Sequence, residues 1–244
     1  MNLQKRRALG LLCVALAIVV YALQYQAVQL PQPVPAPLPS PTAIKPSEAS
    51  VVNEPPALAR EELEKLAVKG RAPKTGYVRA KFGDGWLLMG NCDTRNIILR
   101  RDLSGVVVGS GCKVMSGVLA DPYTGSTVTF MRGTDTSDDV QIDHVVALSN
   151  AWQTGAQLLP PDRLIEFAND PLELLAVDGN ANQAKGDGDA ATWLPANKGF
   201  RCQYVARQIA VKVKYSLWVT AAEKSAMQHV LASCPEQRLP AASN

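Results

Sequence analysis

The stretch QIDHVVALSNAW, residues 141–152, places a carboxylate and an imidazole side by side at the end of an apolar run. His144 is one of only two histidines in the chain, and the other, His229, falls in a predicted helix and is interpreted as a surface or packing residue. A carboxylate such as Asp143 can ligate a cation, and a neutral imidazole can take a proton from water. The pair Asp143–His144 is therefore a candidate for hydrolytic chemistry, although most adjacent Asp-His pairs are structural.

A second polar stretch, NQAKGDGD at residues 182–189, follows the short apolar segment 174–177 and a glycine turn. On a short helix Asn182 and Lys185 share one face, so an amide oxygen lies beside an ammonium group. Carboxylate and amide oxygens completed by water suit Mg²⁺, with Mn²⁺ as the alternative ion. We therefore expect a divalent metal site built from both stretches.

The surrounding sequence predicts a single α+β domain at residues 57–236, followed by a tail at 237–244. Apolar alternation and turn residues predict strands, and longer amphipathic segments predict helices. Thr220 and Glu223 form the capping-box pattern that opens a last helix. Strands are predicted within 106–130, 140–146 and 174–177, short strands and turns within 74–98, and helices at 57–69, 147–156, 162–168, 201–218 and 220–232.

The amino terminus predicts export. Lys5, Arg6 and Arg7 precede an uncharged apolar run, so residues 1–27 are interpreted as a signal peptide or a membrane anchor, and both readings place the remainder outside the cytoplasm. Residues 28–56 form a proline-rich linker. The net charge of +3 belongs to these three cations, because 22 basic and 22 acidic residues follow them. The charge of the domain therefore does not indicate a nucleic-acid partner.

The cysteines agree with export. Cys13 lies in the apolar run, and the other four, an even number, indicate two disulfides in an exported domain. Three pairings are possible, and Cys92–Cys112 with Cys202–Cys234 is preferred because each closes a local loop. Zinc ligation is the alternative, although the chain has no CxxC pair.

Charge is divided unevenly along the domain. Residues 133–190 contain eleven acidic and two basic residues, whereas residues 195–224 contain six basic and one acidic. This division indicates either a solvated surface or an acidic, metal-attracting centre beside a cationic helix. The candidate phosphate contacts, which ordinary surface cations would also explain, are Arg95, Arg201, Arg207 and Lys212.

The motifs IDHVVAL (142–148) and NQAKGD (182–187) resemble those of the HNH, or ββα-metal, nucleases. The resemblance runs from about Gly76 to Cys234 and includes CDTRNIILRRDL at 92–103. Over this length the chain is similar to the carboxyl-terminal domain of GmrSD restriction endonucleases and to exported actinobacterial HNH nucleases.

This resemblance implies a role for each motif residue. Asp143 and Asn182 correspond to metal ligands, His144 to the general base, and Lys185 to a cation that meets the phosphate. The central Asn of the family's pattern, which fastens the loop carrying the base, is Glu173 here. A glutamate accepts hydrogen bonds but cannot donate as an amide does. This difference is expected to affect the rigidity of the loop, and therefore turnover, more than metal binding.

These inferences predict an exported, metal-dependent endonuclease that acts on DNA, and on RNA as a second substrate. The alternative is an envelope protein that keeps the ββα-metal scaffold and binds nucleic acid or another polyanion without cleaving it. A third interpretation is a toxin module delivered to neighbouring cells. The membrane is an expected partner where the amino-terminal segment stays uncleaved.

Overall fold

The structure is a computed structural model that describes residues 56–133 and 136–240. The predicted signal peptide or anchor at 1–27 and all but the last residue of the linker at 28–56 lie outside these residues. Among the described helices, none combines the length and the apolar character needed to cross a membrane.

The described residues form seven α-helices and seven β-strands, which confirms the predicted α+β class. The helices are α1 (Ala59–Lys65), α2 (Thr94–Asp102), α3 (Leu148–Gln153), α4 (Pro161–Asn169), α5 (Gly179–Lys185), α6 (Arg201–Lys214) and α7 (Ala221–Ala232). The strands are β1 (Leu88–Met89), β2 (Cys92–Asp93), β3 (Ser104–Val108), β4 (Val114–Ala120), β5 (Thr127–Met131), β6 (Val140–His144) and β7 (Leu174–Asp178).

The strands pair in three small antiparallel sheets, β1–β2, β3–β4–β5 and β6–β7. In the last sheet Ile142 lies opposite Ala176, and His144 lies opposite Leu174. Helix α5 begins at Gly179, directly after β7. The two chemically distinctive stretches of the sequence therefore meet in one ββα unit.

Strand β7 is buried on both faces. Leu174 and Ala176 belong to a core cluster beneath the three-stranded sheet, whereas Leu175 and Val177 belong to the larger cluster formed with α6 and α7. Successive residues of a strand point to opposite faces, so this alternation places β7 between the two clusters. A strand covered on both faces is apolar throughout, and this explains the uninterrupted run LLAV.

The prediction of short strands and turns up to residue 98 is wrong for its last part, where the structure has helix α2 from Thr94. The side chain of Asp93 accepts a hydrogen bond of 2.8 Å from the backbone N–H of Asn96 and caps the helix. Ile98 and Leu99 are fully buried on its inner side. The cap and this burial outweigh the strand preference of the β-branched residues. Asp93 is the sequence signal that would have found the helix.

Two local predictions are confirmed. Glu223 donates its backbone N–H to the Thr220 hydroxyl, and Thr220 donates its own to the Glu223 carboxylate, which completes the capping box. The disulfides Cys92–Cys112 and Cys202–Cys234 are both present. The second joins α6 to the end of α7, and neither pair of sulfurs is left to ligate zinc.

Gly179 allows α5 to pack against the turn before β6. A Cβ at this position would overlap the backbone carbonyl oxygen of Asp138, a contact that no side-chain rotation relieves. We expect Gly179→Ala to lower the free energy of unfolding by about 1–3 kcal/mol, as overpacking does. Urea denaturation measures this. Gly70→Ala is the matched control, since its added Cβ would have no atom of the described residues within 4 Å apart from its chain neighbours; an equal loss in both variants would contradict the packing explanation.

Candidate active site

A cleft of about 300 Å³ opens where β6, α3 and α5 meet. Asp143 and His144 at the end of β6 and Asn182 on α5 line it, so the structure brings together three of the predicted site residues. A smaller cavity of about 100 Å³ is also lined by His144. The imidazole therefore borders two cavities.

The ring of His144 is held in a defined orientation. Its Nε2 lies 3.1 Å from the carbonyl oxygen of Ala168. A carbonyl only accepts, so the proton belongs on Nε2 and the neutral ring keeps Nδ1 as a base. Trp86 lies parallel to the imidazole, with an interplanar angle of 7° and centroids 5.9 Å apart. Burial, followed by the positive charges of Arg79 and Lys185, lowers the pKa of His144 to about 3, which keeps the ring neutral.

The Asp143 carboxylate is buried and hydrogen-bonded on both oxygens. Lys185 Nζ donates to Oδ1 over 2.9 Å, and the Tyr123 hydroxyl donates to Oδ2. Burial raises the pKa of Asp143, while Lys185 and Tyr123 oppose the rise. Sequence reasoning assigned no role to Tyr123, which lies in a turn twenty residues before Asp143.

Lys185 lies inside the domain. Its side chain has no exposed surface, and besides Asp143 it donates to the backbone carbonyl of His144 over 2.8 Å. The resemblance assigned this residue a contact with phosphate. In this conformation its ammonium group instead holds the end of β6 to α5.

Asp143 and Asn182 are the residues at the cleft whose oxygens could hold a divalent ion. Asn182 donates Nδ2 to Gln141 Oε1 over 2.9 Å, and its Oδ1 accepts no hydrogen bond from the described residues. A carboxylate has about four lone-pair sites, and Asp143 uses two of them. Mg²⁺ is commonly bound by one or two protein oxygens and several waters. The described residues contain no cluster of three or more His, Cys, Asp or Glu side chains suited to a metal.

Glu173 fastens the chain that follows His144. Its carboxylate oxygens each lie 3.2 Å from the backbone N–H of Val146, and its backbone carbonyl accepts from Val145 over 2.9 Å. The residue is fully buried. At this position the loop needs an acceptor, which a glutamate supplies.

Gln208 supplies the amide that the loop would otherwise lack. Its Nε2 donates to the carbonyl of Val145 over 2.9 Å and to the Tyr204 hydroxyl over 3.0 Å. Gln208 comes from α6, far along the chain, and no motif marks it. The backbone around the imidazole is thus held by three side chains. Lys185 donates to the His144 carbonyl, Gln208 donates to the Val145 carbonyl, and Glu173 accepts from the Val146 N–H.

Glu173 is expected to make stability fall as pH rises. Burial raises the pKa of its carboxyl well above the ordinary 4.5, so the folded state binds a proton that the unfolded state releases above that value. Glu173→Gln keeps an acceptor for Val146 and removes this proton linkage. We expect its stability relative to wild type to rise by up to about 1.4 kcal/mol per pH unit. Urea unfolding with chelator at pH 5 and pH 8 measures the slopes; parallel slopes would contradict the prediction.

The four candidate phosphate contacts are engaged within the domain. Each donates to a backbone carbonyl, and Lys212, fully buried, also pairs with Glu223 over 3.1 Å. The carbonyls belong to Ser137 and Val140 for Arg95, to Pro195 for Arg201, to Pro171, Leu172 and Leu174 for Arg207, and to Trp218 for Lys212. Three of these cations lie on α6, and in this structure they hold backbone segments of the domain together.

Comparison with known proteins identifies the domain. The family described as GmrSD restriction endonucleases, C-terminal domain, matches residues 93–230, more than half of the chain. The chain belongs to this family. A protein of Arthroderma benhamiae described as an uncharacterized secreted protein is 42% identical over 178 residues, which cover 72% of this chain and 84% of the relative. No solved structure gives a significant match.

Membership of the GmrSD C-terminal family indicates a nuclease-like function. The matched segment includes the whole ββα unit and every residue that fastens the loop after His144. Tyr77 and Arg79, which also line the cleft, lie before the matched segment. They had no motif that would have marked them in the sequence.

Proposed function

We propose that this protein is an exported, metal-dependent HNH-type endonuclease that hydrolyses phosphodiester bonds of DNA, with RNA as a second substrate. The contact between His144 Nε2 and the Ala168 carbonyl carries this proposal. It fixes the tautomer that leaves Nδ1 basic on a ring bordering an open cleft. A histidine with a purely structural role would also pair its buried N–H; what supports catalysis is that this ring lines the same cleft as Asp143 and Asn182.

His144 would activate the attacking water. Nδ1 accepts a proton from the water as its oxygen attacks phosphorus in line with the departing 3′ oxygen, and Nε2 stays bonded to the Ala168 carbonyl throughout. A phosphodiester placed beside the ring raises the proton affinity of Nδ1, because a nearby negative charge favours the imidazolium. Glu173 and Gln208 keep the backbone after the ring in place during the transfer.

Asp143 and Asn182 are the residues that would hold the divalent ion, most simply Mg²⁺. When bound, that ion supplies Lewis-acid polarisation of a non-bridging phosphate oxygen. Lys185 and Tyr123 orient the Asp143 carboxylate from the protein side. Each carboxylate oxygen accepts one of these hydrogen bonds and keeps a second lone pair that can bind a metal ion.

Export is supported by the two disulfides, which persist in oxidising compartments. The relative from Arthroderma benhamiae is described as secreted. The basic residues and apolar run at the amino terminus agree with the same location. Mass spectrometry of the mature amino terminus distinguishes a cleaved signal from an uncleaved anchor.

Short labelled oligonucleotides separate an enzyme from the alternative, a binding protein. The purified full chain is incubated with single- and double-stranded DNA and RNA in Mg²⁺, Mn²⁺ or chelator, while anisotropy follows binding and gels follow cleavage. A nuclease of the proposed type leaves a 5′-phosphate and a 3′-hydroxyl in the presence of the metal only. Binding without cleavage under every metal would favour the alternative, which the existing pairing of Asp143 with Lys185 supports.

A further inference from the structure

We propose that Arg79 binds the phosphodiester that is presented to His144, as the guanidinium clamp of the cleft. This inference rests on the proposed nuclease function and adds the residue that holds the substrate's charge. It concerns a side chain outside the segment that the GmrSD C-terminal family matches.

Arg79 borders both cavities beside His144. Arg79, His144 and Leu148 line the larger cleft and the smaller cavity alike, so Arg79 and the imidazole border the same two spaces. Within the described part of the chain, no other lysine or arginine lines either space. The remaining charged groups there are Asp143 and Asp187, which would repel a phosphate.

The guanidinium of Arg79 is exposed and makes no hydrogen bond or ion pair with any described residue. Other cations of this region have partners: Lys74 pairs with Asp187, and Arg71 pairs with Asp189 over 2.8 Å. Lys185 is buried against Asp143. The donors of Arg79 therefore remain available to an incoming anion.

The backbone that carries Arg79 is anchored. Arg79–Phe82 forms a short 3₁₀ helix whose last residue is almost fully buried. The ring of Phe82 packs against Phe167 and Trp152, with centroids 6.0 and 6.4 Å away. These contacts hold the Arg79 backbone beside the cleft, so binding a ligand would order only the side chain.

A phosphodiester matches this donor. The planar guanidinium presents a rigid fork that binds two phosphate oxygens at once, and its hydration is weaker than that of an ammonium group. A phosphate contact holds the strand but reads no base. Arg79 should therefore contribute equally to all sequences.

The test measures binding separately from cleavage. In the full chain carrying His144→Ala, which slows cleavage during the measurement, anisotropy follows a fluorescein-labelled 20-nucleotide single strand and a duplex of the same sequence. Arg79→Gln should weaken binding by about tenfold and reduce the salt slope of log K by about one. Arg79→Lys should bind with an affinity between those of the parent protein and Arg79→Gln. In the protein with His144 intact, Arg79→Gln should lower kcat/KM by about 10²-fold.

Arg60→Gln is the matched control, because Arg60 is an exposed arginine on α1 beside a different surface pocket. Equal losses in the Arg60 and Arg79 variants, or wild-type binding and cleavage by Arg79→Gln, would overturn the inference while leaving the nuclease function intact. Failure of the wild-type chain to bind or cleave any of these probes would overturn both proposals.

Discussion

Replacing His144 by alanine is expected to slow phosphodiester cleavage by about 10²–10⁴-fold, the usual contribution of a general base. The imidazole is fixed by the Ala168 carbonyl, which leaves Nδ1 as the basic atom of a ring that lines the cleft. Initial rates on supercoiled plasmid at saturating Mg²⁺ measure the effect. The loss should appear in kcat, while binding of an oligonucleotide stays close to that of wild type.

His229→Ala is the control for this change. His229 lies exposed on α7 and lines neither cavity beside His144. Its substitution should leave the rate unchanged, and thermal unfolding of both variants verifies that the fold is retained. Cleavage by His144→Ala at the wild-type rate would remove His144 from the mechanism.

Replacing Lys185 by methionine is expected to lower the free energy of unfolding by about 3–5 kcal/mol, as removal of one partner of a buried ion pair does. The Lys185 side chain has no exposed surface, and that of Asp143 is only 6% exposed. The substitution leaves the Asp143 carboxylate without its cation and the His144 carbonyl without its donor. Urea denaturation in chelator measures the change.

The double variant Asp143→Asn, Lys185→Met distinguishes an unpaired charge from poor packing. Neutralising both partners should recover most of the lost stability, because no buried charge then remains. If the double-mutant cycle shows that the two substitutions change the free energy of unfolding additively, Asp143 and Lys185 do not stabilise each other and the prediction is wrong. A loss below about 1 kcal/mol in Lys185→Met, the size found for exposed ion pairs, would contradict the prediction.

The ββα unit could be predicted because its signals are local. Strand β7 has an apolar run bounded by a turn, and Asn182 and Lys185 lie three residues apart on the helix that follows. The disulfide pairing could also be predicted, because each bond closes a local loop. The missed helix α2 also had a local signal in the Asp93 cap.

The partners of these residues could not be predicted, because they come from distant parts of the chain. Tyr123 reaches Asp143 from the turn after β4, and Gln208 reaches Val145 from α6. The burial of Lys185 and Lys212 depends on tertiary packing as well, since nothing in a lysine's own sequence context separates a surface cation from a buried one. Arg79 became a candidate only when the fold placed it beside His144.

Conversion of supercoiled plasmid to nicked and linear forms by the purified full chain tests the central claim most directly. We expect conversion in Mg²⁺ or Mn²⁺, none in chelator, and recovery when the metal is restored. Absence of conversion under every divalent ion tried, by a folded protein with both disulfides intact, would contradict the claim that this domain is a metal-dependent nuclease.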